Sequence, residues 1–440
     1  MISTNGGVRN KGMPDTKLPP TITSYLTKRG TEEPWHINEA PSRVFAGAVV
    51  IPSLAEAANL PSTLESLSRN PDELLDRFMI LIVVNQRADA SDVETADNRT
   101  TLELLPLWRQ QFRLANLFWV DAASIGKELP HKQGVGLARK LGLDLALSYL
   151  GYHGGMDPLL ICLDADTLVQ PDYLRAITNH FGTSSAGGVS IAYRHRPADS
   201  AAGQAAVDRY ELFLRTYVLG LKLAESPYAF HTVGSAMACR ASAYCASGGM
   251  NRRLAGEDFY FLQQVHKTSG VASLTDTIIH PSPRSSHRVP FGTGRAVGDM
   301  LAEGEQRLLF YQPVVFTIVG EWLACVAENS GADASALLDC AAGIAPVLLD
   351  FLEQSGFRAS WENLKKHNRE GTKQMAAFHG WFDAFRTMRL IHELSDRSYP
   401  RIAPEHAVAP LLKRAGKISP NSIEEQLEVL RRMQGRIRAV

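Results

Sequence analysis

The stretch Leu159–Tyr173, LLICLDADTLVQPDY, decides how the chain is read. Leu159–Leu163 is an apolar run of strand length, and it stops at Asp164-Ala165-Asp166. Pro171-Asp172 then opens a helical pattern through Tyr173, Leu174 and Ile177. Alternation along an extended chain puts residues i and i+2 on one side, which aims both carboxylates at a single hard cation. Open α/β sheets bind ligands at the carboxyl ends of their strands, and oxygen ligands suit Mg2+ or Mn2+. The bland reading of Asp-Thr is a helix N-cap.

Working outward, Val44–Ile51 (VFAGAVVI) and Met79–Val84 (MILIVV) read as buried strands, the first ended by Pro52 and the second by Asn85. Unbroken apolar runs of this kind belong to parallel sheets. A helix through Leu64 and Leu67 separates them. A polar stretch to Thr101 precedes a helix to about Arg113, a short strand Leu117–Val120, and a helix over Gly134–Leu150. Strands alternating with helices predict a mainly parallel sheet covered on both faces. Further strands are expected at Val189–Tyr193, Thr232–Cys239 and Val271–Ile279, and helices at Asp208–Glu225 and Glu257–Lys267. From about Val297 the pattern is helical. The expected organisation is an irregular arm over residues 1–43, an α/β domain over 44–296 and an all-α region over 297–440.

Composition narrows the functional classes. Lys+Arg and Asp+Glu number 46 each, which argues against a general nucleic-acid binder. The five cysteines (Cys162, Cys239, Cys245, Cys325, Cys340) form no C-x-x-C pair, so neither a zinc site nor a disulfide framework is signalled. A reducing, cytoplasmic setting is the expectation. The N-terminus has no apolar signal region, and no window of 18 apolar residues predicts a membrane span. Peripheral membrane contact through the basic end of a final helix, Ile423–Arg438, stays open. There is no P-loop, H-E-x-x-H or G-x-S-x-G.

Three more constellations carry chemistry. Gly256-Glu257-Asp258 precedes an amphipathic helix; acidic residues there stabilise the helix start, or one of them serves as a general base. The loop Ile279–Arg295 (IHPSPRSSHRVPFGTGR) holds His280, His287, Arg284, Arg288 and Arg295 between glycines suited to hinging. Arginine forks grip phosphate, so this loop is suited to closing over a diphosphate. Lys132 and Arg139, in HKQGVGLAR, are also placed to reach phosphate, while Arg139 reads equally well as a surface residue of a helix.

In this order the motifs resemble those of the family 2 glycosyltransferases of GT-A fold, over roughly residues 44–295. Val49-Val50-Ile51-Pro52 with Glu56 and Asn59 is similar to the opening strand of that family. Ile82-Val83-Val84-Asn85 is similar to its second strand, whose terminal acidic residue contacts the base; Asn85 departs from that pattern. Gly136–Leu143, Asp164-Ala165-Asp166, Gly234–Arg240 and Gly248-Gly249 with Gly256-Glu257-Asp258 follow in family order. The resemblance implies a GT-A-type mainly parallel sheet flanked by helices and a hexosyltransferase-like enzyme. It would move a sugar from a nucleotide-diphosphate donor to a hydroxyl of a glycan, lipid or small molecule, with Mg2+ or Mn2+. It implies Asp258, with Glu257 beside it, at the catalytic position and inversion at the sugar carbon. It places Pro52, Glu56, Asn85, Lys132, Arg139, Asp164, Arg284 and Arg288 on the donor side, and Gly234 and Ser235 on the acceptor side. Asp164, Asp166 and His280 would hold the metal, with His287 as the rival of His280. The alternatives are a degenerate nucleotide-sugar-binding protein and a retaining transferase of the same fold.

Overall fold

The computed structural model describes residues 18–31, 34–285, 292–368 and 371–435. They form two compact units: a sheet unit, running to Arg196 and resuming over Thr232–Ser282, and a helical unit of Pro197–His231 with the chain from Pro283 onward.

The sheet unit is built on eight strands: β1 (Gly47–Ser53), β2 (Phe78–Asn85), β3 (Leu117–Ala122), β4 (Leu159–Cys162), β5 (Leu168–Val169), β6 (Gly188–Tyr193), β7 (Met237–Arg240) and β8 (Val271–His280). Their order is β3-β2-β1-β4-β7-β6-β8-β5. β3, β2, β1 and β4 run parallel. β7 runs antiparallel between β4 and β6, β6 and β8 are parallel, and the two-residue β5 is antiparallel to β8. The α/β class, a mainly parallel sheet flanked by helices with an all-α extension, is as the sequence predicts.

Every residue of β1 and β2 is buried, the condition that makes such strands read as continuous apolar runs. β1 does not stop at Pro52, as the sequence suggests, but continues to Ser53 alongside β2. The reason is one of sides. Val50 turns its carbonyl toward β4, accepting from Leu163 N at 3.1 Å, and Pro52 has the same parity. Its missing N–H therefore faces the side where β4 has already ended, and no ladder bond is lost.

Other boundaries moved for equally local reasons. The stretch before Thr101 is helical: the helix Asp92–Gln111 starts at a capping box in which Ser91 and Glu94 satisfy each other's backbone. The expected irregular arm contains a helix, Pro20–Arg29. Only Ile22 and Tyr25 of it are buried, too few for a periodic signal. Its anchor is polar. Tyr25 Oη and Tyr244 Oη both donate to Asp144 Oδ1, at 2.9 and 2.7 Å. Lys140 Nζ donates to Tyr25 Oη at 2.7 Å and pairs with Asp144 at 2.8 Å. Gly249, at φ +78°, leaves room for the Tyr25 hydroxyl, which a Cβ there would overlap.

The helical unit takes in the helix Ala201–Leu223 together with everything after residue 283, so the units do not part at residue 296. That helix is apolar on the side where Leu212, Leu219 and Leu221 join a core centred on Trp322, Phe357, Trp361 and Phe378. Trp322 and Trp361 are fully buried and Trp381 packs against the same core. Cys325 and Cys340 are joined as a disulfide, a pairing that their spacing in the sequence did not signal. In the last helix, Ile423–Gln434, Arg431 is not a free basic tip: it pairs with Glu211 at 2.8 Å and Asp208 at 3.4 Å. Arg436 and Arg438 lie outside the described residues. No helix among the described residues is long and apolar enough to cross a membrane.

Candidate active site

The site begins where the strand order reverses. β1 leads to β2 and β3 on one side, while β4 lies on its other side. A crevice outside the carboxyl ends of β1 and β4 follows from that reversal. Ser53 ends β1, Asn85 ends β2, and Asp164 follows β4. The Asp164–Asp166 segment is a turn, not extended chain: Thr167 N donates back to Asp164 O at 3.1 Å. The alternation expected for these two carboxylates therefore does not hold, although they stay two residues apart at the strand end.

Arg139 organises the centre. It sits one turn into the helix Val135–Leu147 and is 3% exposed. One guanidinium nitrogen, Nη1, donates to Glu257 Oε1, and the other, Nη2, donates to Asp164 Oδ1. Glu257, also 3% exposed, starts the helix Glu257–Ser269. Burial works against the charge on Arg139, but Asp164 and the other acids around it hold its pKa above the ordinary value. Gly234 makes the arrangement possible, because a Cβ there would lie 2.5 Å from Arg139 Nη2. β7 runs antiparallel to β4, with Met237 opposite Cys162. The residues just before Met237 are thereby carried past the end of β4.

Asp258 is the other half of the centre. Burial pushes its carboxyl above the usual carboxylate range, and the nearby Asp164 charge adds to this. Arg139 and the Phe259 amide, 2.7 Å from Oδ1, offset part of the shift. Burial also pushes the Cys162 thiol, inside β4, up to about 12, so it is a core residue and not a nucleophile.

The residues expected on the donor side divide into groups. Asn85 is buried at the end of β2, and its Nδ2 donates to the carbonyls of Ser53 and Val83 at 3.1 and 3.0 Å. Those two acceptors fix the amide nitrogen inward. Pro52 is a strand residue, and Glu56, 5% exposed, accepts from Asn59 Nδ2 at 2.8 Å. Lys132 is exposed and adopts φ +64° in the turn before the Arg139 helix. Arg284 belongs to the helical unit. Arg288 and His287 lie outside the described residues. Ser235, expected on the acceptor side, is 1% exposed.

Among the described residues no three His, Cys, Asp or Glu side chains converge as a ready metal site. The residues present still fit a hard cation shared with phosphate, which needs only one or two protein carboxylates. His280, at the end of β8, lies opposite Leu168, two residues after Asp166. Its Nδ1 is 3.1 Å from Arg194 O. With Nδ1 donating to that carbonyl, Nε2 carries the lone pair, the arrangement seen in metal-binding histidines.

The sequence reading missed Arg194 and Arg196. They continue past β6, Arg194 N donating to Ile279 O and Arg196 N to Pro281 O at 2.9 and 3.0 Å. Arg196 Nη2 donates to Asp166 O at 3.2 Å. A signal was there: buried Ile191, Tyr193 and His195 alternate with Ala192, Arg194 and Arg196.

The sequence matches no known protein family and no curated protein. Among solved structures the chain is similar to S. aureus TarS 1-349 in complex with UDP-GlcNAc, at 12% identity and a TM-score of 0.40, covering 78% of this chain and 91% of that one. It is similar to the mannosyltransferase PcManGT from Pyrobaculum calidifontis in complex with GDP-Man and Mn2+, at 15% identity and a TM-score of 0.37, covering 83% and 95%. A third is glucosyl-3-phosphoglycerate synthase from Mycobacterium tuberculosis with Mn2+, UDP-glucose and phosphoglyceric acid, at 14% identity and a TM-score of 0.33, covering 68% and 82%. At such identities and scores, the functional reading rests on the residues of this chain.

Proposed function

We propose that the chain is a metal-dependent glycosyltransferase that moves a sugar from a nucleotide-diphosphate donor to an acceptor hydroxyl with inversion. The observation that carries this reading is the Arg139–Asp164–Glu257 cluster with Asp258 beside it, at the carboxyl ends of β1 and β4.

Asp258 is the general base. A carboxyl with a raised pKa binds the proton of an attacking hydroxyl better than an ordinary carboxylate does, and it does so within the electrostatic reach of Asp164. Glu257 does no proton chemistry: it is held by the Arg139 guanidinium, which fixes the start of the helix that presents Asp258. Arg139 also holds Asp164 through its Oδ1. Asp166, Asp164 and His280 would hold Mg2+ or Mn2+ against the donor diphosphate, and that cation supplies charge neutralisation for the leaving diphosphate. Asn85 lines the nucleoside end of the crevice, and Gly234 the side from which an acceptor would approach. Glu56 and Pro52 shape its floor.

The test is a thermal-shift screen with UDP, GDP, CDP and dTDP, each with and without Mn2+. A ligand that binds only the native state raises Tm by mass action. The expected result is a metal-requiring shift for one nucleotide that Asp166→Ala abolishes. A shift of the same size in Asp166→Ala removes this residue from the metal site. No shift with any pair defeats the donor reading.

A further inference from the structure

Past the end of β6 the chain keeps pairing with β8, through Arg194 N to Ile279 O and Arg196 N to Pro281 O. Tyr193 and His195 turn inward and are 2% and 6% exposed, the two rings meeting edge to face at 5.6 Å. Arg194 and Arg196 therefore share the opposite face, about 6.6 Å apart along the strand. Tyr193 pairs with Ile279 in the parallel register, which sets Arg194 beside His280.

Arg196 is planted against the aspartate turn through Asp166 O. Its Nε is buried, and no described residue accepts from it. A guanidinium N–H left without an acceptor is costly in a folded protein, and the geometry of the fork suits a tetrahedral or planar oxyanion. We infer that the face at the end of β6 carrying Arg194 and Arg196 next to Asp166 binds the phosphate or carboxylate group of a ligand. The ligand class is therefore an anionic one: the diphosphate of the donor, or an acceptor that bears its own phosphate or carboxylate. The inference rests on the donor reading only for that choice of source; the two arginines stand on their own geometry.

The experiment is isothermal titration of inorganic phosphate into the full chain, into Arg194→Gln and into Arg196→Gln, with and without saturating nucleotide and Mn2+. Wild type should bind phosphate saturably, and each substitution should weaken it roughly tenfold or more. Arg194 is exposed, so Arg194→Gln tests the site without disturbing the Asp166 turn. Phosphate displaced by nucleotide and Mn2+ assigns the site to the donor diphosphate; phosphate bound alongside them assigns it to an anionic acceptor. Phosphate binding without any nucleotide binding leaves the anion site standing and removes the donor reading. Absence of saturable phosphate binding in wild type, or an unchanged affinity in Arg194→Gln, overturns the inference, and does so even if the nucleotide binds as expected.

Discussion

Replacing Arg139 by methionine should expose how the centre is held. Arg139 and Glu257 have side chains each 4% exposed, and Asp164 is 35% exposed. Removing the guanidinium leaves Glu257 as a buried charge with no partner, whereas Asp164 can take water in its place. Breaking a buried pair from one side costs about 3–5 kcal/mol, far above the roughly 0–1 kcal/mol of an exposed pair. For a unit of this size that is a fall in Tm of roughly 6–20 °C. Two units in one chain make a single global transition an unsafe measure. Amide hydrogen exchange on β1 and β2, in the sheet unit, is therefore the better assay. The second arm is Arg139→Met with Glu257→Gln, which removes both charges and should recover most of the loss. Lower pH should narrow the deficit of the single variant, because Glu257 can then take a proton. A cost below about 1 kcal/mol in Arg139→Met, or a double variant no more stable than the single one, would refute the view that this ion pair organises the centre.

Asp258→Asn should abolish transfer while leaving nucleotide affinity intact; retained turnover would eliminate Asp258 as the base. The same substitution should stabilise the protein near neutral pH. The folded pKa of Asp258 lies above its ordinary value of 3.8, so the folded state binds more proton, and wild-type stability falls as pH rises through the window between the two values. The advantage of the asparagine variant should appear in that window, persist above it and vanish at lower pH; a pH-independent difference in Tm would contradict this. Gly249→Ala should cost about 1–3 kcal/mol from the left-handed backbone alone, and more because a Cβ meets the Tyr25 hydroxyl. Pairing it with Tyr25→Phe should recover part of the loss, as read by amide hydrogen exchange in the sheet unit of the two variants.

What could be read from the sequence was what is local. β1, β2 and β4 announced themselves because both faces of each strand are covered, leaving runs such as Met79–Val84 without a polar residue. Asp164, Asp166, Glu257 and Asp258 stood out because they punctuate element ends. The joining of Asp164 and Glu257 through Arg139 did not, since 118 residues separate Arg139 from Glu257 and no periodicity reports such a distance. The helix Pro20–Arg29 was hidden for the same reason: its hold is on Asp144, 119 residues away from Tyr25. Arg431 looked like surface charge from its position in an amphipathic helix, and only the packing against Glu211 makes it interior. The alternation around Arg194 was within reach of the sequence, but two arginines at a strand end have no meaning until Asp166 is seen beside them.

The place of β8 in the sheet has a consequence for how the protein is made. β8 lies between β6 and β5, and among the described residues β5 pairs with no other strand. Thr277 on β8 also donates to Asp172, 105 residues earlier. A ribosome adding about 5–20 residues per second therefore leaves β5 and one edge of β6 open for roughly 5–20 s. During that time the chain is making Pro197–His231, which belongs to the other unit. An unpaired strand edge is a template for wrong partners. Nascent chains that stall before Val271 should accordingly depend on chaperones far more than those released just after His280.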